Sequence, residues 1–243
     1  MYYSKIYIPF LVTYIFMTAL ADSVRSAFLA TSQNGVPFHN VKHADQVTQA
    51  LIAMWYDNRV EFLLAGPSHD IDHRFAVLSD DEERAERIMR RLAQKTWLSS
   101  WIIDKTGTLI FWTIFRDRPH LSWDQPIIAD ADISNVWWDF EEHMRQTARL
   151  IIEQHLPTWK AMTRENILGG FRRNDGFYKF LTGITGNPDN PFLTREAAQI
   201  FPHFARNRDL WAQKIDINPD FFIRLVCEEW KAFFHVPLVL DSI

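Results

Sequence analysis

The chain has 243 residues, 47% of them apolar and 23% charged, which suits one large globular domain or two small ones and excludes a disordered or fibrous chain. A net charge of -4 at pH 7 and a pI near 6.1 provide no basic stripe of the kind that nucleic acid requires. Cys227 is the only cysteine, so no internal disulfide can form and the expected location is cytoplasmic.

Ile6 to Leu20 is almost continuously apolar, with Lys5 before it and Ala19-Leu20-Ala21 resembling a cleavage site. The run is shorter than the ~20 apolar residues that cross a bilayer. A buried first helix starting after Pro9 is favoured over a secretory signal on residues 1–21, the alternative that would make the protein secreted. Ala44 to Tyr56 carries Val47, Leu51, Met54 and Trp55 at helical spacing, and Val60 to His69 continues the pattern. Ser79 to Glu83 forms an acidic start suited to a helix macrodipole, and the basic residues through Lys95 make that helix solvent-facing. Trp97 to Phe115 holds the best strand candidate. Its length favours two buried helical pieces separated by Lys105-Thr106-Gly107. Pro126 to Leu156 reads as one long helical stretch carrying Trp137 and Trp138. Gly169-Gly170 and Gly183 to Pro191 read as loops, and Phe221 to Phe234 as a final apolar helix. No repeat or linker interrupts the chain. The expected fold is a single all-α domain over 1–243, with N-terminal helices in 1–37, a core in 38–135 and C-terminal helices in 136–243.

Four of the nine histidines, His39, His43, His69 and His73, fall within one stretch, with Asp70 and Asp72 among them. Imidazole and carboxylate are natural ligands for Zn²⁺, Fe²⁺ or Mn²⁺. Each histidine pair is four residues apart, which on a helix stacks both rings on one face and at a loop-to-helix junction still keeps them close. A site drawn from two helices needs a third element to close it. Asp132 is the best candidate, in Ala129-Asp130-Ala131-Asp132-Ile133-Ser134-Asn135 between apolar stretches, where an unpaired carboxylate is costly to bury. The alternative for each pair is a set of polar side chains satisfied by backbone or water. Asp45 and Asp72 read as helix-surface carboxylates or partners of ligands. His120, His143, His155, His203 and His235 have no such spacing and read as structural.

These residues resemble a known superfamily. Phe38-His39-Asn40-Val41-Lys42-His43-Ala44 resembles the His-Asn-x-x-His-Ala signature of the class I cyclic nucleotide phosphodiesterases, which are HD-type metal-dependent phosphohydrolases. His69-Asp70-Ile71-Asp72-His73 is similar to their His-Asp-x-Asp-His segment, and Ala131-Asp132-Ile133-Ser134-Asn135 to their Ala-Asp-Leu/Ile-Ser-Asn element, in the same order. Phe10 to Arg25 and Phe221 to Val226 resemble flanking helices of the family more weakly. The resemblance implies an HD-type bundle in which His43, His69, Asp70 and Asp132 hold the first of two divalent ions (Zn, Fe, Mn or Mg) and Asp70 reaches the second. His39 would be the general acid, and His73 would stand behind the ligands or touch the phosphate. Phe222, Asn135 and Phe38 would contact the substrate, a small phosphorylated compound or nucleotide, with Phe222 clamping a base.

The chain departs from the family at several points. Phe38 replaces the usual tyrosine, Arg74-Phe75 follows His73 in place of Pro-Gly, and no Glu-Asn-His-His element is recognisable. Glu86 is the nearest stand-in for that element's glutamate, although solvated helix surface is the simpler reading. Pro219, preceded by Asn218, stands where the purine-reading glutamine belongs, so base recognition must differ. The expected activity is hydrolysis of a phosphate ester, first a nucleotide (cyclic) phosphodiester. The alternatives are an HD monoesterase acting on a small phosphorylated metabolite and a non-catalytic nucleotide-binding HD module.

Overall fold

The computed structural model describes residues 22–24, 26–27, 30, 36–73, 81–96, 98–113, 124–134, 139–156, 162–201 and 204–240. The N-terminal apolar run, Trp137, Trp138, Asn135, His120 and His203 lie outside them. The architecture is all-α, with no strand among the described residues. The helices follow as α1 (Val41–Ala53), α2 (Val60–Ser68), α3 (Asp81–Ala93), α4 (Ser100–Phe111), α5 (Gln125–Asp132), α6 (Phe140–His155), α7 (Arg164–Thr185), α8 (Arg195–Ile200), α9 (Phe204–Ile217) and α10 (Pro219–Phe234). None of these is long and apolar enough to cross a membrane.

Helix α2 is the hub of the N-terminal half, packing on α1, α4 and α5, while α3 lies against α4. In the C-terminal half α10 packs along α6 and α7, with α9 beside α7 and α10. Local chemistry explains the start of α1. The Asn40 side-chain oxygen accepts from the backbone N–H groups of Lys42 (2.9 Å) and His43 (3.3 Å), an N-cap that places His43 in the first turn. The amide nitrogen of Asn40 donates to the carbonyl of Pro37 (2.8 Å), which ties down the segment carrying His39. At the other end Trp55 takes a positive φ of 69°, and α1 stops before the Tyr56 expected from sequence.

Three expectations change. Residues 100–111 form one helix that runs straight through Lys105-Thr106-Gly107. A Cβ at Gly107 would stand 3.0 Å from the Glu86 carboxylate, so this glycine lets α3 approach α4 and does not mark a break. The stretch from Pro126 to Leu156 is two helices. Helix α5 ends at Asp132, and α6 restarts behind Asp139, whose carboxylate accepts from the N–H groups of Glu141 and Glu142 at 3.1 Å each. Gly169-Gly170 lies inside α7, which is nucleated by a Thr163–Asn166 capping box and runs on past Gly183 until Gly186 takes a φ of 66°.

Gly170 allows α7 to pack closely on α6, because a Cβ there would meet Ile151 Cγ1 at 2.7 Å. Gly170→Val is therefore expected to destabilise the protein by about 1–3 kcal/mol through overpacking. Gly176, on the same helix, has nothing within 4 Å of its would-be Cβ. Gly176→Ala should stabilise by about 0.5–1 kcal/mol. Urea unfolding midpoints of the two variants check both signs, and equal shifts would contradict the packing argument.

Candidate metal centre and the adjoining cavity

Three separate helix termini deliver the ligand-type side chains. His43 comes from the capped first turn of α1, His69 and Asp70 from the residues that close α2, and Asp132 from the last position of α5. His43 Nε2 lies 3.0 Å from Asp132 Oδ1 and 3.4 Å from Asp70 Oδ2. His69 Nε2 lies 2.9 Å from Asp70 Oδ2 and 3.2 Å from Asp132 Oδ1. With metal–ligand bonds of about 2.1 Å, neighbouring donors stand roughly 3.0 Å apart in an octahedron and roughly 3.4 Å apart in a tetrahedron. The four observed separations span that range.

His69 Nδ1 is 2.7 Å from the carbonyl oxygen of Gly66. Donation there fixes the ring and leaves the Nε2 lone pair for a ligand. Both His69 Nε2 and Asp70 Oδ2 are buried, and beyond their charge contacts inside the cluster neither has a hydrogen-bond partner. Orphaned buried donors and acceptors are rare because each carries a desolvation penalty. Burial alone would raise the Asp70 carboxyl, but His69 and then His39 hold it well below the usual carboxylate range. Asp132 is depressed in the same way by His69 and His43, again against the effect of burial. Burial opposes protonation of His69, yet Asp70 and Asp132 raise its pKa well above the ordinary histidine value. The two carboxylates give the cluster negative charge beside nearly buried imidazoles, and His43, His69 and Asp70 could hold a metal ion there.

A second group adjoins the first. His39 Nδ1 is 2.5 Å from Glu153 Oε1, and Glu153 Oε2 accepts from the backbone N–H groups of Phe38 (2.8 Å) and His39 (3.0 Å). His73 stacks on His39 with ring centroids 3.8 Å apart, and His73 Nε2 lies 3.5 Å from Glu153 Oε1. Burial works against protonation of His39, but Glu153, Asp70 and Asp132 lift its pKa to about 9. His73 is pushed down to about 4 by burial and by charged His39. The partners of His73 on the far side are Asp81 Oδ2 (3.5 Å) and Asp70 Oδ1 (3.7 Å). His39, His73 and Glu153 together form a second group able to hold a metal ion.

Glu153 and Asp81 were not expected at the site. Glu153 lies one heptad after Gln146 on α6, and both are buried, so a polar stripe beside the apolar face was the available signal. Asp81 was concealed in the acidic start of α3, where charge suits the helix dipole equally well. Asp72 is no surface carboxylate: it is buried and pairs with Arg84 Nε at 3.1 Å. Glu86 pairs with Arg90 against Gly107 and takes no part in the site. His143 is a core residue whose pKa is lowered to about 3 by burial.

A cavity of about 510 Å³ opens beside the cluster. Phe38, Ile133, Ile151, Phe177 and Tyr178 form its apolar walls, and His39 and Asp132 reach it from the metal side. Phe222, expected as the aromatic clamp, is not among its lining residues. It is fully buried and packs edge-on to Phe171 at 4.8 Å, because the register of α10 turns Phe222, Leu225 and Val226 into the core. The aromatics on the cavity wall are Phe38 and, from α7, Phe177 and Tyr178.

Comparison of the chain with protein-family models, curated proteins and solved structures found no match. The fold and the cluster define it as an all-helical protein with, among the described residues, two His/Asp/Glu groups able to bind metal ions.

Proposed function

We propose that this protein is a metal-dependent phosphohydrolase of the HD type that cleaves a phosphate ester, with a nucleotide-like phosphodiester as the leading substrate class. The observation carrying the reading is the convergence of His43 and His69 on Asp70 and Asp132, with all four histidine–aspartate separations at 2.9–3.4 Å, beside a cavity that also exposes His39. The orphaned Nε2 of His69 and Oδ2 of Asp70 fit a bound divalent ion. Such an ion supplies Lewis acidity towards water and towards the phosphoryl oxygens.

The chain's own contribution is to hold charge and protons in place. Glu153 anchors Nδ1 of His39 and keeps that ring protonated at neutral pH, so Nε2 is the nitrogen left to give a proton to a departing alkoxide. His73 is neutral and buttresses the His39 ring. The 2.5 Å contact between His39 and Glu153 is shorter than the roughly 3 Å separation of donors sharing an ion, which favours a proton between them over a metal. Asp70 offers Oδ2 to the four-residue group and turns Oδ1 towards His73, so a second ion would share Asp70.

Elemental analysis followed by turnover of bis-p-nitrophenyl phosphate and p-nitrophenyl phosphate with Mn²⁺, Mg²⁺ or Zn²⁺ tests the proposal. Stoichiometric metal and diester turnover that disappears in Asp70→Ala is the expected result. Turnover of the monoester alone moves the assignment to a monoesterase. Bound metal without turnover of either ester refutes the enzyme and leaves a binding module.

A further inference from the structure

Arg173 lies on α7, one turn beyond Gly169, and lines the large cavity. It also lines an adjacent cavity of about 150 Å³, with Gln154, His155, Asn166, Ile151 and Met162. Other arginines of the same helix are neutralised, Arg164 by Asp220 at 2.5 Å and Arg172 by Asp216 at 3.3 Å. Arg173 has no hydrogen-bond or ion-pair partner among the described residues. Among the described residues it is the one arginine or lysine lining either cavity, and no described carboxylate lines the smaller one. Gln154 lines both cavities with Arg173, and Asn174 lines the large one, oriented by donating to Thr147 Oγ1 at 3.1 Å.

Asp132 is the one carboxylate among the described residues lining the large cavity, where it is committed to the histidines, and the smaller cavity that Arg173 also lines includes no residue of the cluster. Arg173 is exposed at the edge of a cleft whose lining also includes the amides of Gln154 and Asn174, and a guanidinium without a counter-ion among the described residues is a ready fork for a planar anion. We infer that Arg173 is a specificity-determining residue that binds a second anionic group, a carboxylate or a phosphate, on the substrate end remote from the scissile phosphate. The inference rests on the phosphohydrolase reading for the location of the scissile phosphate. The anion-binding role of Arg173 itself can be judged without turnover.

Three p-nitrophenyl phosphodiesters that differ only in the second ester group test it: pentyl, 5-carboxypentyl and 5-phosphonooxypentyl. The wild-type protein is expected to favour one or both anionic tails over pentyl by roughly tenfold or more in kcat/KM, the scale of a charge-assisted hydrogen bond. Whichever tail is preferred identifies the group as carboxylate or phosphate. Arg173→Gln should shrink that ratio to about twofold or less, and Arg173→Lys should retain part of it. Calorimetric binding of hexyl phosphate and 5-carboxypentyl phosphate to the same proteins supplies a readout independent of turnover, with the same ratio expected and the same loss in Arg173→Gln. No preference in the wild-type protein by either measurement, or a preference unchanged in Arg173→Gln, overturns the inference. Absence of turnover with an intact, Arg173-dependent binding preference removes the hydrolase reading alone.

Discussion

Asp132→Ala is expected to abolish stoichiometric metal binding and to lower diester turnover on the order of 10³-fold or more, the size of loss seen when charge stabilisation is removed from a transition state. Asp132 is 89 residues from His43 in sequence, yet its Oδ1 contacts both His43 and His69. Its loss opens the cluster on the cavity side and leaves Asp70 as the sole carboxylate against two buried imidazoles. The same variant has a signature that does not depend on catalysis. An ion at 100 times its Kd stabilises a folded protein by about 2.7 kcal/mol. Wild-type thermal unfolding should shift upward on metal addition, and that of Asp132→Ala should not. Retention of metal at wild-type stoichiometry in Asp132→Ala would show that Asp132 is no ligand and that the ion is held without it.

The second large effect is predicted for Glu153→Gln. Glutamine keeps an oxygen to accept from the backbone N–H groups of Phe38 and His39, so the loop before α1 should remain in place. What disappears is the negative charge that holds a proton on His39. General-acid catalysis contributes about 10²–10⁴-fold where the leaving group needs a proton. Glu153→Gln should therefore lower turnover of a dialkyl phosphate by roughly 10²-fold or more, and turnover of bis-p-nitrophenyl phosphate far less, because a nitrophenolate leaves without protonation. Metal content should be unchanged. Equal losses on both substrates, together with loss of bound metal, would instead make Glu153 a ligand and the His39, His73, Glu153 group a metal site.

Residue spacing made much of the metal cluster visible. The His39/His43 and His69/His73 spacing marked the four imidazoles, but neither pair lies within one helix: His39 precedes α1, His73 follows α2, and each pair is divided between the two groups. Glu153 carried no comparable mark, because its role comes from α6 crossing the segment before α1, a contact between residues 114 apart. Phe222 shows the opposite problem. Its neighbourhood resembles a base-clamping segment, but the packing of α10 on α6 and α7 turns the ring into the core. Gly107 and Gly170 carried the sequence mark of breaks, and only their neighbours reveal them as points of close helix approach.

The helical class, most helix positions and the order of the histidine and aspartate motifs were legible in the amino-acid sequence, because the apolar period and the capping chemistry act within one or two turns. The pairing of Glu153 with His39, the burial of Phe222 and the unneutralised Arg173 on the cavity wall were decided by tertiary structure alone. Each depends on how two helices distant in sequence are rotated about their axes, and that rotation is set by side-chain packing across the interface, which no local pattern encodes.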